Sequence, residues 1–479
     1  MIQSKRAIDL NKILKIVNLG ILFLLWYSYL EKGDGLYVNL NTILLGTLLS
    51  IQIGFFLFFE EKRRDPFVIL LCLQMTIYFL LRILTLLNYE FSNVFTRYPF
   101  VPENLNDALV FILVANLIFY FGLKINNLKA SILSKASNVK PAKTYLVVIF
   151  IGIGYFIAFY QKGGLSFLEG FMGMIQSLFV NLGIMLFMAI VFLLLFKEKI
   201  DVKTKRIVFV GILFMVLIQT LTGSRSAILS VINYLLFALL AIHDSIKVER
   251  KYLILGGGLL PIMIIIFALS TFLRPRLENR ETIGSETFEA VKEFNLSEVV
   301  VDGSDLVLME VFDRIGFLDY CAETMSNSDK YSEIFNPIYY FKSIVDNVLT
   351  PGFTIFDTPR VSNATTFVYN DRGTPSLARV GEGYQSDEFT MYGEFYALFG
   401  KWFSLIPIFL VGYCFKSIYT HINQSNIYLF YLKRALILLV FYSTLNSFGL
   451  DWILLDVVAI FFTYKIFKRF FKFNYITKI

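Results

Sequence analysis

Long apolar runs separated by short polar segments fill most of the chain. A helix that crosses the hydrocarbon core of a bilayer needs about 20 apolar residues, and twelve runs approach or reach that length. The predicted spans are 13–30, 37–59, 67–88, 106–125, 144–160, 173–196, 207–221, 226–242, 252–272, 395–415, 428–446 and 448–466. This pattern predicts an all-α polytopic membrane protein with about twelve transmembrane helices.

Basic residues cluster in every second loop between these runs. Typical clusters are Lys62-Arg63-Arg64 and Lys203, Lys205 and Arg206, whereas the short loops of the other set hold few Lys or Arg residues. The positive-inside rule places Lys- and Arg-rich loops in the cytoplasm. An even number of spans with both termini in the cytoplasm satisfies the alternation.

One polar segment, residues 273–394, is too long to serve as a simple connector and falls on the outer side of this topology. It divides the chain into a first membrane part (1–272), an extracytoplasmic loop (273–394), and a second membrane part with a basic cytoplasmic tail (395–479). Within the loop, apolar periodicity predicts a helix over 304–326 and a second over 331–349 that is interrupted at Pro337. Its stretch 350–386 is rich in Pro and Gly and is predicted to form turns and loops.

Composition and charge narrow the class further. The 479 residues are 56% hydrophobic and only 17% charged, against about 45–50% and about 25% in soluble domains. The net charge of +7 combines −11 on the loop 273–394 with +18 on the rest of the chain. Because the basic residues follow the membrane topology, the chain is not expected to be a soluble enzyme or to bind nucleic acid. Its three Cys residues show no metal-ligand spacing, and no metal site is predicted.

Two groups of arginines fall at the predicted outer surface. Arg225 lies in the tight connection Thr222-Gly-Ser224-Arg-Ser226, whose small residues allow close approach of a ligand, and Arg274 and Arg276 follow the ninth span. A guanidinium group matches a phosphate bidentately. The alternative is that these side chains simply reach the interface from the ends of helices.

The sequence Tyr392-Gly-Glu394-Phe-Tyr396 leads from the loop into the tenth span. A partly desolvated carboxylate has a raised pKa and suits a general base, and aromatic faces pack on sugar rings. The alternative is an interfacial aromatic belt with an acid at a helix start.

The remaining loop arginines are candidates for binding an anionic substrate or for balancing nearby acids. Arg314 also has the spacing for an ion pair with Glu310. The other candidates are Arg360, Arg372 and Arg379. Arg82 lies inside the third span, where a charge indicates a functional site by default, but the sequence assigns it no role.

Taken in order, three features of the chain resemble the Wzy-type polymerases that join the repeat units of O-antigen and capsular polysaccharide. They are Gly223-Ser-Arg225-Ser between two central spans, the long outer loop that opens at Arg274 and holds a helix around Arg314, and Tyr392-Gly-Glu394-Phe-Tyr-x-x-Phe-Gly at the next span. The general layout covers nearly the whole chain, whereas the specific motifs cover about thirty residues.

The resemblance implies an inverting, GT-C-like glycosyltransferase that needs no metal or other cofactor. Donor and acceptor would be undecaprenyl-pyrophosphate-linked oligosaccharides at the outer face of the bacterial inner membrane. By this analogy Arg225 and Arg274 hold the pyrophosphate leaving group and Glu394 deprotonates the acceptor hydroxyl. Ser224, Arg276, Arg314, Arg360, Arg372, Arg379, Tyr392 and Tyr396 are the expected substrate contacts. A chain-length regulator and a flippase of the same pathway are the expected partners.

Functions of other classes stay open at this stage. Twelve spans also suit a flippase or another transporter of lipid-linked oligosaccharides, although the charged residues gather at the outer surface and not along a path through the spans. O-antigen ligases share the layout, but they carry a His near the end of the outer loop that this chain lacks. A non-catalytic receptor or assembly subunit is a further alternative.

Overall fold

The structure is a computed structural model that describes the following parts of the chain. They are residues 7–63, 65–88, 102–125, 202–221, 226–242, 247–249, 285–294, 316–350, 355–369, 390–422 and 427–446, with isolated positions within 187–194, 265–273 and 453–465. The regular secondary structure in these parts is helical except for two strands of three residues each.

The first membrane part contains seven described α-helices, one π-helical turn and both strands. In chain order they are β1 (Ala7–Asp9), α1 (Leu10–Lys32), α2 (Leu40–Arg63), α3 (Pro66–Gln74), π1 (Met75–Leu80), α4 (Leu81–Asn88), α5 (Pro102–Ile125), α6 (Val202–Leu221), α7 (Ser226–Ile242) and β2 (Lys247–Glu249).

The loop and the second membrane part contain eight described α-helices and a second π-helical turn. They are α8 (Ser285–Glu293), α9 (Phe317–Ser326), α10 (Ser328–Ile334), α11 (Pro337–Ile344), π2 (Val345–Leu349), α12 (Val361–Tyr369), α13 (Met391–Phe403), α14 (Leu405–Thr420) and α15 (Ile427–Asn446).

Within the described ranges, four helical segments are long and apolar enough to cross a membrane, namely Leu10–Lys32, Leu40–Glu60, Pro66–Asn88 and Pro102–Ile125. They confirm the first four predicted spans as apolar helices, and the chain is a helical membrane protein. Helices α6, α7 and α15 overlap the predicted spans 207–221, 226–242 and 428–446. The predicted spans 144–160, 173–196, 252–272 and 448–466 lie wholly or mostly outside the described residues.

The predicted tenth span, 395–415, is not one straight helix. Helices α13 and α14 meet at an angle of 119°. Gly400 has a φ of 73°, a left-handed conformation that glycine adopts without steric cost, and Ser404 joins the two helices. The apolar pattern predicted this segment but not its bend, because such a pattern does not report a change in backbone direction.

Helices α5 and α14 pack with their backbones in close contact. A Cβ atom added to Gly412 would lie 2.8 Å from the carbonyl oxygen of Phe119, and one added to Gly122 would overlap the carbonyl oxygen of Phe409. Small residues permit such close crossings in membrane proteins. This contact fixes α14, and through it the bent helix α13, against α5.

Contacts at one end of the bundle join segments that the basic-loop pattern places on the same side. Strand β1 pairs antiparallel with β2, Ile8 opposite Val248. At the α2–α3 junction, Oδ2 of the buried Asp65 lies 2.5 Å from the Lys416 ammonium and 3.5 Å from that of Lys124, which also pairs with Glu60. The connections after the second, fourth, eighth and tenth predicted spans therefore contribute to this end or to the strand pair.

The loop helices agree with prediction in two places and differ in one. Helix α9 covers the described end of the predicted helix 304–326, and the predicted interruption at Pro337 is the break between α10 and α11. The expectation of turns throughout 350–386 was wrong, because α12 lies within that stretch. Val361, Ala364 and Val368, spaced along one helical face, pack on Tyr331 and Phe335.

Helix α9 is recessed into the bundle at the end opposite the Asp65 cluster. Arg82 and Asp319 form a fully buried ion pair, in which Nε lies 3.1 and 3.0 Å from the two carboxylate oxygens and Nη2 lies 2.5 Å from Oδ2. Arg82 is six residues before the end of α4, a distance of about 9 Å along the helix axis. The described start of α9 therefore reaches the depth of the membrane-spanning helices.

Candidate functional site

Glu394 lies in the first turn of α13, where the helix begins against α9. Thr390 caps this helix, since its hydroxyl oxygen accepts a hydrogen bond from the backbone N–H of Gly393 at 3.4 Å. The position favours a carboxylate, because the amino end of a helix carries partial positive charge. Only 6% of the Glu394 surface is exposed, and the phenol of Tyr340 donates a short hydrogen bond to its Oε1.

A small cavity opens beside this pair and has room for about one water molecule. Its walls come from α9, α10, α11, α12 and α13. They are formed by Thr324, Tyr331, Phe335, Tyr340, Val361, Thr365, Glu394 and Ala397. Aromatic rings, hydroxyl groups and a carboxylate come together around this space, which is narrower than a sugar ring and almost entirely apolar at its surface.

A second buried carboxylate lies next to the cavity. Glu323 accepts a hydrogen bond from the phenol of Tyr331 at 2.6 Å, and Tyr331 itself lines the cavity. Asn327 donates from its side chain to the backbone carbonyl of Glu323 at 3.2 Å. Two carboxylate–tyrosine pairs, Glu394–Tyr340 and Glu323–Tyr331, thus border the same space.

Helix α9 supports the amino end of α13. A Cβ atom added to Gly393 would lie 3.5 Å from the Cα of Cys321 and 3.6 Å from Thr324, so the two helices approach closely at this point. Burial raises the pKa of the Cys321 thiol to about 12, against the opposing effect of a hydrogen bond with Thr390. Asp319 lies on the same helix as Cys321. The Arg82–Asp319 pair therefore fixes α9, the helix against which the first turn of α13 and Glu394 pack.

The two tyrosines that the sequence assigned to substrate binding lie on other faces of α13. Tyr392 is fully buried, and its hydroxyl donates to Oδ1 of Asn116 on α5 at 2.6 Å. The ring of Tyr396 meets the ring of Phe111 edge-on, with centroids 5.1 Å apart. Among the contacts that the structure describes, both tyrosines anchor α13 to α5 and neither lines the cavity.

Arg360 is the one predicted arginine ligand within the described residues. It is half-buried at the start of α12, and its carbonyl accepts hydrogen bonds from the N–H groups of Asn363 and Ala364 at 3.0 and 2.9 Å. The next residue, Val361, lines the cavity. The backbone of Arg360 therefore adjoins a residue that lines the cavity. The other predicted site residues lie outside the described residues: Ser224, Arg225, Arg274, Arg276, Arg314, Arg372 and Arg379.

Seven of the eight residues that line the cavity, all except Glu394, escaped the sequence-based prediction, as did the neighbouring Glu323. Glu323 and Tyr331 are eight residues apart on neighbouring short helices, a spacing that is too common to indicate a pair. Tyr340 is 54 residues before Glu394, so no local pattern links them. Thr365 lies on α12, which was not predicted as a helix. Within the described ranges, no three His, Cys, Asp or Glu side chains converge as metal ligands.

Comparisons of this chain with protein-family models, with curated proteins and with solved structures give no match. The interpretation of the site therefore rests on its geometry and on the sequence pattern.

Proposed function

We propose that the protein is a Wzy-type polymerase of lipid-linked oligosaccharide repeat units, a GT-C-like glycosyltransferase with about twelve spans in the bacterial inner membrane and both termini in the cytoplasm. Donor and acceptor are undecaprenyl-pyrophosphate-linked oligosaccharides at the outer face of the membrane. The reaction lengthens O-antigen or capsular polysaccharide and uses no metal.

The observation that carries this proposal is the buried carboxylate of Glu394 on the wall of an aromatic cavity. A general base needs a nearby group that orients it and access to the hydroxyl from which it takes a proton. The Tyr340 phenol holds one oxygen of Glu394, and the acceptor hydroxyl is proposed to approach through the water-sized cavity beside the pair. The sequence resemblance selected Glu394 independently of this geometry.

In the proposed reaction, a hydroxyl oxygen of the acceptor sugar attacks the anomeric carbon of the donor. The bond from that carbon to the pyrophosphate oxygen breaks, and the pyrophosphate lipid leaves with the bonding electrons. Glu394 takes the hydroxyl proton. Arg225 and Arg274 are proposed to stabilise the departing negative charge, because preorganised cations are usually a large contribution to such steps. Arg360, the neighbour in sequence of the cavity-lining Val361, is proposed to contact the same anionic substrate.

The test is gel analysis of surface polysaccharide from a deletion strain that carries Glu394→Gln. The amide keeps the shape of the side chain but takes up no proton, so single repeat units should replace the chain-length ladder. The matched control is Glu333→Gln, which changes an exposed acid on α10 and should leave the ladder intact.

A normal ladder from Glu394→Gln would contradict the role of Glu394 as the base. If the deletion strain fails to display lipid-linked repeat units at the outer face, the protein is a flippase. The same assay on Arg225→Ala and Arg274→Ala tests the proposed leaving-group contacts.

A further inference from the structure

Helix α11 and the π2 turn that continues it have two faces with partners in the described structure. On one face, the buried Tyr340 donates to Glu394. On a second face, Ile344 and Val348 pack against Leu454 and Val458. Those last two residues belong to the predicted final span.

The third face of this segment is apolar and exposed. Ile338, Phe341 and Leu349 are exposed to 66%, 61% and 64%, and Ile355 and Phe356 on the following loop are exposed as well. We call these five residues the α11 apolar patch. Clusters of exposed large apolar side chains mark surfaces that bind another molecule or a membrane.

The patch has a fixed backbone. The buried carboxylate of Asp346 accepts hydrogen bonds from the N–H groups of Ile355, Phe356 and Thr358 at 2.9, 3.1 and 2.9 Å, which ties the loop to π2. The Lys342 ammonium lies 5.8 Å from the centre of the Phe356 ring. The loop and the helix therefore present one continuous surface that has a cation at its edge.

The position of the patch indicates what covers it. It adjoins Leu454 and Val458, and on the same chain segment Val457 and Phe461 are exposed, as lipid-facing residues of a membrane helix are. Helix α9, in the same group of loop helices, reaches the depth of the spans through Asp319. A lysine at the edge of an apolar face suits the phosphates of lipid headgroups.

We propose that the α11 apolar patch is embedded in the interfacial layer of the bilayer, with membrane lipid as its partner. The inference goes beyond the proposed function and does not depend on it. It makes α11 an interfacial helix that contacts lipid on one face and the Glu394 carboxylate on another.

The test uses tryptophan fluorescence in phosphatidylcholine–phosphatidylglycerol vesicles whose acyl chains carry bromine, a short-range quencher. Trp26, Trp402 and Trp452 are first replaced by Phe, and a single Trp is then placed at position 341 or 349. Emission of Phe341→Trp and Leu349→Trp should fall at least about twofold relative to unbrominated vesicles, because an interfacial helix buries its apolar face about 5–10 Å into the headgroup and acyl boundary.

The matched control is Glu333→Trp on α10, an exposed position beside acidic and polar neighbours. Its emission should change little with bromine and should be quenched by iodide from the water. If Phe341→Trp and Leu349→Trp respond like Glu333→Trp, the patch faces water or a protein and the proposal is wrong. Equally strong quenching at positions 341, 349 and 333 would also overturn it, because contact with lipid would then not be specific to the patch. Two positions keep the test valid should one variant fail to fold.

Discussion

The amino-terminal helices α1–α5 and the loop helices α9–α13 are built in different ways. The first group consists of four long apolar helical segments, one of them the continuous run α3–π1–α4, with exposed large side chains such as Phe23, Phe58 and Phe121, which is the surface expected against lipid. The second group consists of helices of seven to thirteen residues that are joined by buried polar pairs. The comparison shows that the long helices follow from the apolar length that a bilayer requires. The position of the site depends instead on contacts between individual side chains.

The Arg82–Asp319 pair is the described ion pair that joins the two groups, and its loss should have the largest effect. Arg82→Ala leaves the Asp319 carboxylate buried without this partner, which typically costs about 3–5 kcal/mol. We expect α9 to loosen and the buried thiol of Cys321 to become reactive. In a background with Cys72→Ala and Cys414→Ser, maleimide should label Cys321 about a hundredfold faster or more, since each 1.4 kcal/mol is a factor of ten.

The control for this experiment replaces both charges at once. Arg82→Met combined with Asp319→Leu removes the pair without leaving a lone buried charge, an exchange that is often neutral or stabilising. Labelling of Cys321 should then return towards the slow parental rate. If Cys321 in Arg82→Ala is labelled as slowly as in the parent, the Arg82–Asp319 pair does not hold the loop helices to the bundle. The pair would then not be what joins the two groups of helices.

The second prediction concerns the close helix contact on the other side of the site. Gly122→Ala forces a methyl group onto the backbone of α14 at Phe409. Overpacking typically costs about 1–3 kcal/mol, and the Tm of the purified protein in detergent should fall. Gly54→Ala is the matched control, because nothing lies within 4 Å of an added Cβ there.

Gly54→Ala replaces a helical glycine at an open position, so its free energy of unfolding should instead rise by up to about 1 kcal/mol. If the Tm shifts in the same direction in both variants, close packing of α5 and α14 is not the reason why substitutions at Gly122 and Gly54 differ. Opposite shifts would show that backbone contact, and not apolar area alone, fixes α14 and the α13 helix joined to it.

The difference between the two groups of helices also explains which features could be predicted from the sequence. Spans such as 67–88 follow from apolar length, a property of consecutive residues, and the break at Pro337 follows from proline chemistry. Glu394 was predicted as a site residue because an acid between aromatic residues at a helix start is a local pattern. Each of these signals is contained within about twenty residues.

The missed features depend on distant partners. Arg82 stood out as a charge inside a span, but its partner Asp319 is 237 residues away in a loop helix, so sequence reasoning assigned it no role. Tyr340 looks like any aromatic residue on an amphipathic helix until α11 packs beside α13. The bend at Gly400 was missed because the apolar run continues through it.

The smallest expected effect concerns Asp65 at the opposite end of the bundle. Burial raises the pKa of Asp65, but Lys416, Lys124 and the N–H of Phe67 outweigh burial and bring the pKa below its ordinary value of 3.8. A carboxyl group with a lowered pKa stabilises the folded state above that ordinary value, and this contribution is lost as the pH falls through the folded-state pKa. The Tm difference between the wild type and Asp65→Asn should therefore be largest near neutral pH and should shrink below about pH 4.

Glu333→Gln provides the reference for this pH series, since an exposed substitution usually changes stability by less than about 0.5 kcal/mol. A Tm difference for Asp65→Asn that is constant from pH 7 to 3 would contradict the assigned ion contacts. A difference that disappears at low pH would show that the end of the bundle distant from Glu394 also depends on a buried polar cluster. The two groups of helices would then differ in apolar length, whereas both ends of the bundle would depend on buried polar contacts.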